Sequence, residues 1–461
     1  MPRPAAVVRR VVKAYDVRGL VGTELDEDFA ADVGAAFARL MRTESEPGQV
    51  VVGHDMRASS PALSADFADG VTGQGLDVVR IGLASTDELY FASGRLDCPG
   101  AMFTASHNPA SYNGIKLCRA GAKPVGEDTG LAVIREELID GPASVWSGRC
   151  GEIVERDVLT DYGEFLRSLV ATAGWRPLRV AVDAGNGMAG HTAPAVLGPI
   201  DSVTLLPLYF ELDGSFPNHE ANPLEPSNLV DLQRYVVDTG ADIGLAFDGD
   251  ADRCFVVDER GEPVSPSAVT ALVAARELAR EPGATVIHNL VTSRTVPEVI
   301  AENGGSAVRS RVGHSYIKAL MAQTGAIFGG EHSAHYYFRD FWGADSGMLA
   351  ALHVLAALGR QAGPLSELMR EYQRYAASGE INFRVDDAPG CVRAVLDSFA
   401  AQTVSTDDLD GVTVDLGGGA WFNLRTSNTE PLLRLNVEAP TAADVAAIVE
   451  RAAEQIAGAR V

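Results

Sequence analysis

The apolar run Ile243-Gly244-Leu245-Ala246-Phe247 stops abruptly on Asp248-Gly249-Asp250-Ala251-Asp252-Arg253, and that junction constrains both fold and chemistry. Five residues without polar alternation predict a strand covered on both faces, which belongs to a parallel or mixed sheet flanked by helices. Extended backbone would point Asp248, Asp250 and Asp252 the same way. Unit charges about 4 Å apart repel by roughly 4 kcal/mol at an effective dielectric near 20, so three carboxylates converge readily only around a cation. An all-oxygen set with room for another ligand suits Mg2+, which keeps positions for water or phosphate oxygens. A solvated acidic turn built on Asp-Gly is the plainer reading, but such a turn needs no buried strand before it.

The same texture recurs along the chain. Residues 50–55 predict a buried strand, followed by a helix over 61–72 and a strand over 77–82; residues 100–103 lead into the loop 104–109, residues 127–140 are helical, and 141–151 form a link. A second stretch has a helix over 157–173, strands over 178–182 and 203–209, a helix over 226–239, and then the Asp-rich strand end. A third has helices over 267–280, 296–303 and 315–324, strands over 284–290 and 307–312, and a buried helix over 347–358 with Gly359 just past its end. After about Tyr375 the pattern changes, with alternation at 381–385, 421–425 and 433–437 and a closing helix over 442–456. The expected fold class is α/β: three similar mixed-sheet α/β domains plus a smaller C-terminal α+β domain. The expected boundaries are 1–152, 153–258, 259–372 and 373–461, and length alone also suggests three or four domains.

Lys plus Arg number 38 against 62 Asp plus Glu, a net charge of −24. That argues against nucleic acid or an anionic membrane as partner, and it means that any anionic ligand is held by local positive groups. The five cysteines, Cys98, Cys118, Cys150, Cys254 and Cys391, form no CxxC pair; they fit neither a disulfide framework nor a zinc site and suit a reducing cytoplasm. Residues 1–13 lack the apolar core of a signal peptide, and the longest apolar stretch, 347–358, is too short to span a bilayer.

In open α/β sheets ligands bind beyond the carboxyl ends of strands. Thr104-Ala105-Ser106-His107-Asn108-Pro109 presents a hydroxyl at such an end. An unaided serine is a poor nucleophile, and no GxSxG elbow surrounds this one. A phosphate carrier neutralised by the acidic Mg2+ site is a better reading than an acyl carrier; an ordinary turn-capping serine is the bland one. In Gly329-Gly330-Glu331-His332-Ser333-Ala334-His335 two glycines permit close approach of a ligand, and Glu331, Ser333 and His335 alternate, so that they could offer one face to sugar hydroxyls. Zinc lacks a third ligand there. Arg425-Thr426-Ser427-Asn428-Thr429-Glu430-Pro431 combines a guanidinium, hydroxyls, an amide and turn N–H groups into a phosphate cradle, with Arg434 able to add charge. Tyr15-Asp16-Val17-Arg18-Gly19, Asn113-Gly114-Ile115-Lys116, and Gly313-His314-Ser315 with Lys318 are structural when taken singly.

Taken together and in this order, the segments 15–18, 104–109, 248–253, 330–335 and 425–431 resemble the α-D-phosphohexomutase superfamily, most closely its phosphomannomutase/phosphoglucomutase branch, over nearly the whole chain. The resemblance implies four domains around a central cleft. It implies that Ser106 is the phosphoserine, that Asp248, Asp250 and Asp252 ligate Mg2+ with the Ser106 phosphate completing the site, and that Arg253 lies beside the transferring phosphate. Glu331 and Ser333 would contact the sugar 3- and 4-hydroxyls with His335 in support, and Arg425, Ser427, Asn428 and Thr429 would grip the phosphate that is not reacting. Tyr15, Arg18, His107, Lys116 and His314 match further cleft positions, with proton transfer falling to His107, Lys116 or His314. One departure stands out: in Asn289-Leu290-Val291-Thr292-Ser293-Arg294, Val291 occupies the place of a frequent family lysine, and Arg294 is a candidate to compensate. Phosphoglucosamine mutases typically carry a Gln in the sugar loop and Ser-Gly-Thr in the phosphate loop; His332 and Ser427-Asn428-Thr429 favour the mannose/glucose branch.

The implied reaction interconverts hexose 6-phosphate and hexose 1-phosphate, of mannose and of glucose, through hexose 1,6-bisphosphate as intermediate and activator. The partners are then small-molecule hexose phosphates, with no nucleic acid and no membrane, in a cytoplasmic monomer or weak homodimer. A phosphoglucosamine mutase, a metal-dependent phosphatase and a non-catalytic sugar-phosphate-binding protein are the alternatives.

Overall fold

In the computed structural model, Ile243–Phe247 forms a strand with every residue buried. It runs parallel to Leu178–Asp183 and antiparallel to Cys254–Asp258, with Val203–Leu208 and Pro263–Val264 at the two edges of a mixed five-stranded sheet. Apolar side chains on both faces of such a strand require helical cover, supplied in part by Ala189–Leu197 and Val230–Thr239. The structure describes residues 2–44, 48–141, 146–426 and 432–458, without the His314 side chain. The chain divides into two compact units, Met1–Val264 with Ser333–Ser366, and Ser265–His332 with Glu367–Val461.

The first unit holds that sheet and a larger one. Gln49–His54 lies between the parallel strands Asp77–Leu83 and Gly100–Phe103; Tyr112–Arg119 runs antiparallel to Gly100–Phe103 and to Val17–Leu20. Helices Glu27–Glu44 and Ser60–Thr72 share a core with it, in which Phe67 meets Phe103 edge-on at 5.4 Å. Full burial of each such ring contributes roughly 1.5–3 kcal/mol. Helix Thr86–Leu96 begins with a capping box, the Ser85 hydroxyl accepting from the Glu88 N–H while the Glu88 carboxylate accepts from the Ser85 N–H. Tyr336–Phe338 pairs antiparallel with Ala344–Asp345, and helix Gly347–Gly359 follows, capped by Ser346 and buried almost all round.

In the second unit Thr285–Asn289 lies between the parallel strands Ser306–Ser310 and Phe328–Gly330, with helices Pro266–Arg280, Thr295–Glu302 and His314–Thr324. The C-terminal sheet is wholly antiparallel, in the order Ala376–Arg384, Leu432–Ala439, Ala420–Thr426, Val412–Gly417, Ser405–Asp407. Helices Ala388–Phe399 and Ala442–Gly458 cover it over a core that includes Phe399, Phe422, Leu433, Leu435 and Ile448. The α/β class, with mixed sheets and an antiparallel α+β domain at the C-terminal end, is as the sequence predicts. No described helix is long and apolar enough to cross a membrane.

Several local expectations are corrected. The aspartates do not converge by strand alternation: the strand ends at Phe247, and a tight turn follows in which the Ala251 N–H donates to the Asp248 carbonyl while Ala251 takes φ +61°. The loop around Glu331 likewise turns rather than extends, with Ala334 at φ +66°. The helix expected over 127–140 is a 3-10 turn, Glu127–Thr129, and then Leu131–Asp140, broken by Gly130. The helix expected over 157–173 is only Leu159–Leu169, and Gly359 closes its helix instead of following it.

Candidate active site

Turn geometry brings the three carboxylates together at the end of Ile243–Phe247. Oxygens of Asp248, Asp250 and Asp252 all lie within 4.8 Å of one another, and all three residues are buried. Gly249 permits a second loop to reach them, because a Cβ there would stand 2.5 Å from the Ser106 carbonyl oxygen. Ser106 itself holds φ +50°, a left-handed conformation unusual for a residue with a side chain. Strain of this kind persists only where the surroundings over-determine it. Here the Ser106 N–H donates to the Thr104 hydroxyl at 2.9 Å, and the Ser106 hydroxyl donates to Asp248 Oδ2 at 2.7 Å. Residues separated by 142 positions in sequence thus meet as the loops predict.

The loop is held by a residue the sequence reading missed. Arg57, about 1% exposed, donates to four carbonyl oxygens in turn: Ser106, Asn108, Pro109 and Tyr112. Its Nε pairs with Asp55, which is fully buried and also accepts from Ser60. The signal was present in the sequence. Asp55 directly follows the strand Gln49–His54 and Arg57 comes two residues later, a polar strand end like those at Ser106 and Asp248. Arg18 adds a further tie, donating to the Asn108 side chain at 2.6 Å and pairing with Asp16. Tyr15 is more than one-third exposed.

Two cations balance the carboxylates. Lys116 donates to Asp250 and Asp252 at 2.6 Å each, and Arg253 Nε donates to Asp248 at 2.9 Å. Burial alone would hold all three acids protonated. For Asp250, burial and the Asp252 charge are outweighed by Lys116 and by hydrogen bonds from Lys116 and Thr86, and its pKa falls below the ordinary value. For Asp252, burial is outweighed by Lys116 and His335, with the same result. Burial wins at Asp248, which is pushed up to about 8 despite Arg253. Burial, with the Arg253 and Arg18 charges, pushes His107 down to about 3, so its ring is neutral 3.3 Å from the Ser106 hydroxyl.

The donor set fits a hard divalent cation. Among the described residues the Oδ1 atoms of Asp250 and Asp252, both buried, accept no hydrogen bond, and buried Arg253 Nη2 donates none. Unsatisfied carboxylate oxygens at the heart of an acidic cluster are what an ion would ligate, and a spare guanidinium nitrogen beside them is what an anion would meet. His335 lies 3.7 Å from Asp252 and, with Asp345, forms a second acidic grouping around it. The Ser333 hydroxyl is 3.1 Å from His335 Nδ1.

In the second unit, Glu331 is buried and accepts from the Asn289 amide and from the Gly313 N–H, at 3.3 and 3.1 Å. Arg425 donates to Glu380 at 3.3 Å and lies 3.8 Å from Asp410, and Arg434 lies 3.5 Å from Glu380. Arg294 does not stand free to replace a lysine at Val291: its guanidinium donates to Asp415 at 3.3 and 3.4 Å. Ser427, Asn428 and Thr429 lie outside the described residues, as does the side chain of His314.

These loops and sheets have close counterparts. Models of the phosphoglucomutase/phosphomannomutase alpha/beta/alpha domains I, II and III match residues 9–139, 160–261 and 265–375, and the model of the C-terminal domain matches residues 380–455. A protein described as phosphohexose mutases from Xanthomonas campestris is 41% identical over 445 residues, covering 96% of this chain and 97% of its own. The phosphomannomutase of Escherichia coli K12 is 39% identical, with 92% and 94% covered. A solved phosphoglucomutase/phosphomannomutase family protein from Burkholderia thailandensis superposes with a TM-score of 0.89 at 31% identity, over 100% of this chain and 98% of that one. Four such domains in this order define a phosphohexomutase, an enzyme of the isomerase class. The chain belongs to the phosphoglucomutase/phosphomannomutase family, whose members use a metal ion, and its acidic cluster could bind one.

Proposed function

We propose that this enzyme interconverts the 1- and 6-phosphates of mannose and of glucose, with Ser106 as the phosphoryl carrier. The observation that carries the reading is the Ser106 hydroxyl 2.7 Å from Asp248, beside two unsatisfied aspartate oxygens and a spare Arg253 nitrogen. Asp248, Asp250 and Asp252, with a phosphate on Ser106, would hold Mg2+, which when bound neutralises charge on the phosphoryl oxygens. The bond from phosphorus to Ser106 Oγ breaks as one forms to the free 6-hydroxyl of a hexose 1-phosphate, whose proton leaves to a base. In the resulting 1,6-bisphosphate the bond from the other phosphorus to O1 breaks as one forms to Ser106 Oγ, the C1 oxygen takes up the proton that the Ser106 hydroxyl gives up, and hexose 6-phosphate leaves. Positioning and charge stabilisation by Arg253 supply most of the acceleration.

Supporting roles follow the same reading. Arg57 and Arg18 keep the serine loop in its strained form. Lys116, pinned as an ammonium between two carboxylates, holds its proton tightly and is suited to neutralising charge, which leaves His107 or His314 for proton transfer. Glu331, Ser333 and His335 recognise sugar hydroxyls; Tyr15, Arg425, Ser427, Asn428 and Thr429 hold the substrate and its unreacting phosphate. The serine-loop, metal-loop, sugar-loop and phosphate-loop residues fall one set to each of the domains 1–152, 153–258, 259–372 and 373–461, in that order. A cytoplasmic monomer or weak homodimer, with hexose 1,6-bisphosphate as activator, completes the proposal.

The test is turnover of mannose 1-phosphate and glucose 1-phosphate by wild type and Ser106→Ala. Conversion to the 6-phosphate by wild type, and its loss in the variant, supports the reading. Isomerisation by the variant at the wild-type rate overturns it, and release of inorganic phosphate matching substrate loss makes the protein a phosphatase instead.

A further inference from the structure

Asp250 meets a partner from a distant part of the chain. The Thr86 hydroxyl donates to Asp250 Oδ2 at 2.6 Å, and the Thr86 N–H donates to the Asp250 backbone carbonyl at 3.0 Å. One residue therefore fixes both the backbone and the side chain of the central aspartate. Thr86 is 0% exposed and opens helix Thr86–Leu96. With Lys116 also on Oδ2, the carboxylate has one oxygen fully engaged and the other, Oδ1, buried without a hydrogen bond.

The position of Thr86 is itself held from several directions. Next to it, Asp87 is fully buried and accepts from the Tyr162 hydroxyl at 2.7 Å, from the Ser346 hydroxyl at 2.6 Å and from Ser85. Ser346 caps helix Gly347–Gly359, and Tyr162 lies on helix Leu159–Leu169. Three helices are thus joined at one carboxylate, one residue away from the threonine that touches the metal loop. Buried polar groups satisfied this fully rigidify what they join.

We infer that Thr86 is a positioning residue for the metal centre: it holds Asp250 Oδ2 so that Oδ1 is presented to a divalent cation, while the Asp87 junction keeps Thr86 in place. Partners of this outer kind orient ligands, and their loss typically weakens metal affinity about 10–100-fold. The inference rests on the proposed role of Asp248, Asp250 and Asp252 as ligands.

Calorimetric titration of the purified full chain with MgCl2 tests it, using wild type, Thr86→Val and Thr86→Ser. Valine matches threonine in shape and lacks the hydroxyl; serine keeps the hydroxyl. The expected result is Mg2+ affinity about 10–100-fold weaker in Thr86→Val and within about threefold of wild type in Thr86→Ser, with thermal midpoints in chelator close to each other. Equal affinity in all three proteins would overturn the inference while leaving the aspartate site intact. A Thr86→Ser variant as weak as Thr86→Val would also overturn it, because packing rather than the hydrogen bond would then matter. No Mg2+ binding by wild type would remove the metal reading itself, and the inference with it.

Discussion

A serine at φ +50° is expensive to maintain, and Arg57 is the residue that maintains it. Its guanidinium saturates four loop carbonyls and one buried carboxylate. Arg57→Met would leave Asp55 buried and unpaired, a loss of about 3–5 kcal/mol. The variant should unfold at a lower temperature by differential scanning calorimetry, and its folded fraction should turn over more slowly. A melting profile that overlays wild type would contradict the clamp. The contrast with Ser106 shows what a sequence discloses at this scale. A hydroxyl followed by His-Asn-Pro at a strand end stands out because its chemistry is out of place; an arginine three residues past another strand looks like ordinary surface until its burial is known. Val291 taught the opposite lesson: its departure from the family lysine was legible, but the candidate replacement, Arg294, is engaged by Asp415.

Elements were most legible where burial imposes a pattern. Ile243–Phe247 and Gly100–Phe103 are buried throughout and stood out as apolar runs. Thr86–Leu96 did not stand out. Its first turn carries Asp87 and Glu88, normal for a solvated helix start, yet both are buried here, Asp87 accepting from the Tyr162 and Ser346 hydroxyls and Glu88 from the Ser85 N–H. The three aspartates converge as expected but by a different geometry, since alternation in a strand and a turn with Ala251 at φ +61° place carboxylates together equally well. Burial also makes Glu88 a pH-sensitive point. Desolvation raises its pKa from the ordinary 4.5 to about 8. A raised acid contributes stability that is present in full below pH 4.5 and lost as pH rises through 8. Glu88→Gln keeps an acceptor for the Ser85 N–H and removes the titration. Its thermal midpoint should fall less than that of wild type between about pH 5 and 9, corresponding to a free-energy difference of at most about 5 kcal/mol. Parallel pH dependences for the two proteins would show that Glu88 titrates normally.

At the scale of the whole molecule, a net charge of −24 must coexist with handling an anion. Charge on this scale repels anionic ligands at a distance and is screened by salt, whereas the buried set of Lys116, Arg253 and the aspartates is not. Chelation should therefore abolish turnover at low and moderate ionic strength alike, and Mg2+ should restore it while raising the thermal midpoint by mass action. Activity that survives exhaustive chelation would argue against a metal-dependent centre. The central claim, that Ser106 carries the phosphoryl group, is tested most directly by peptide mass spectrometry of the protein after incubation with glucose 1,6-bisphosphate and again after a chase with glucose 1-phosphate. The account predicts phosphate on Ser106 that persists through the chase, because every turnover restores it, and that passes into glucose 6-phosphate when the bisphosphate is isotopically labelled; phosphate confined to another residue, or a Ser106 that stays unmodified while isomerisation proceeds, would contradict it.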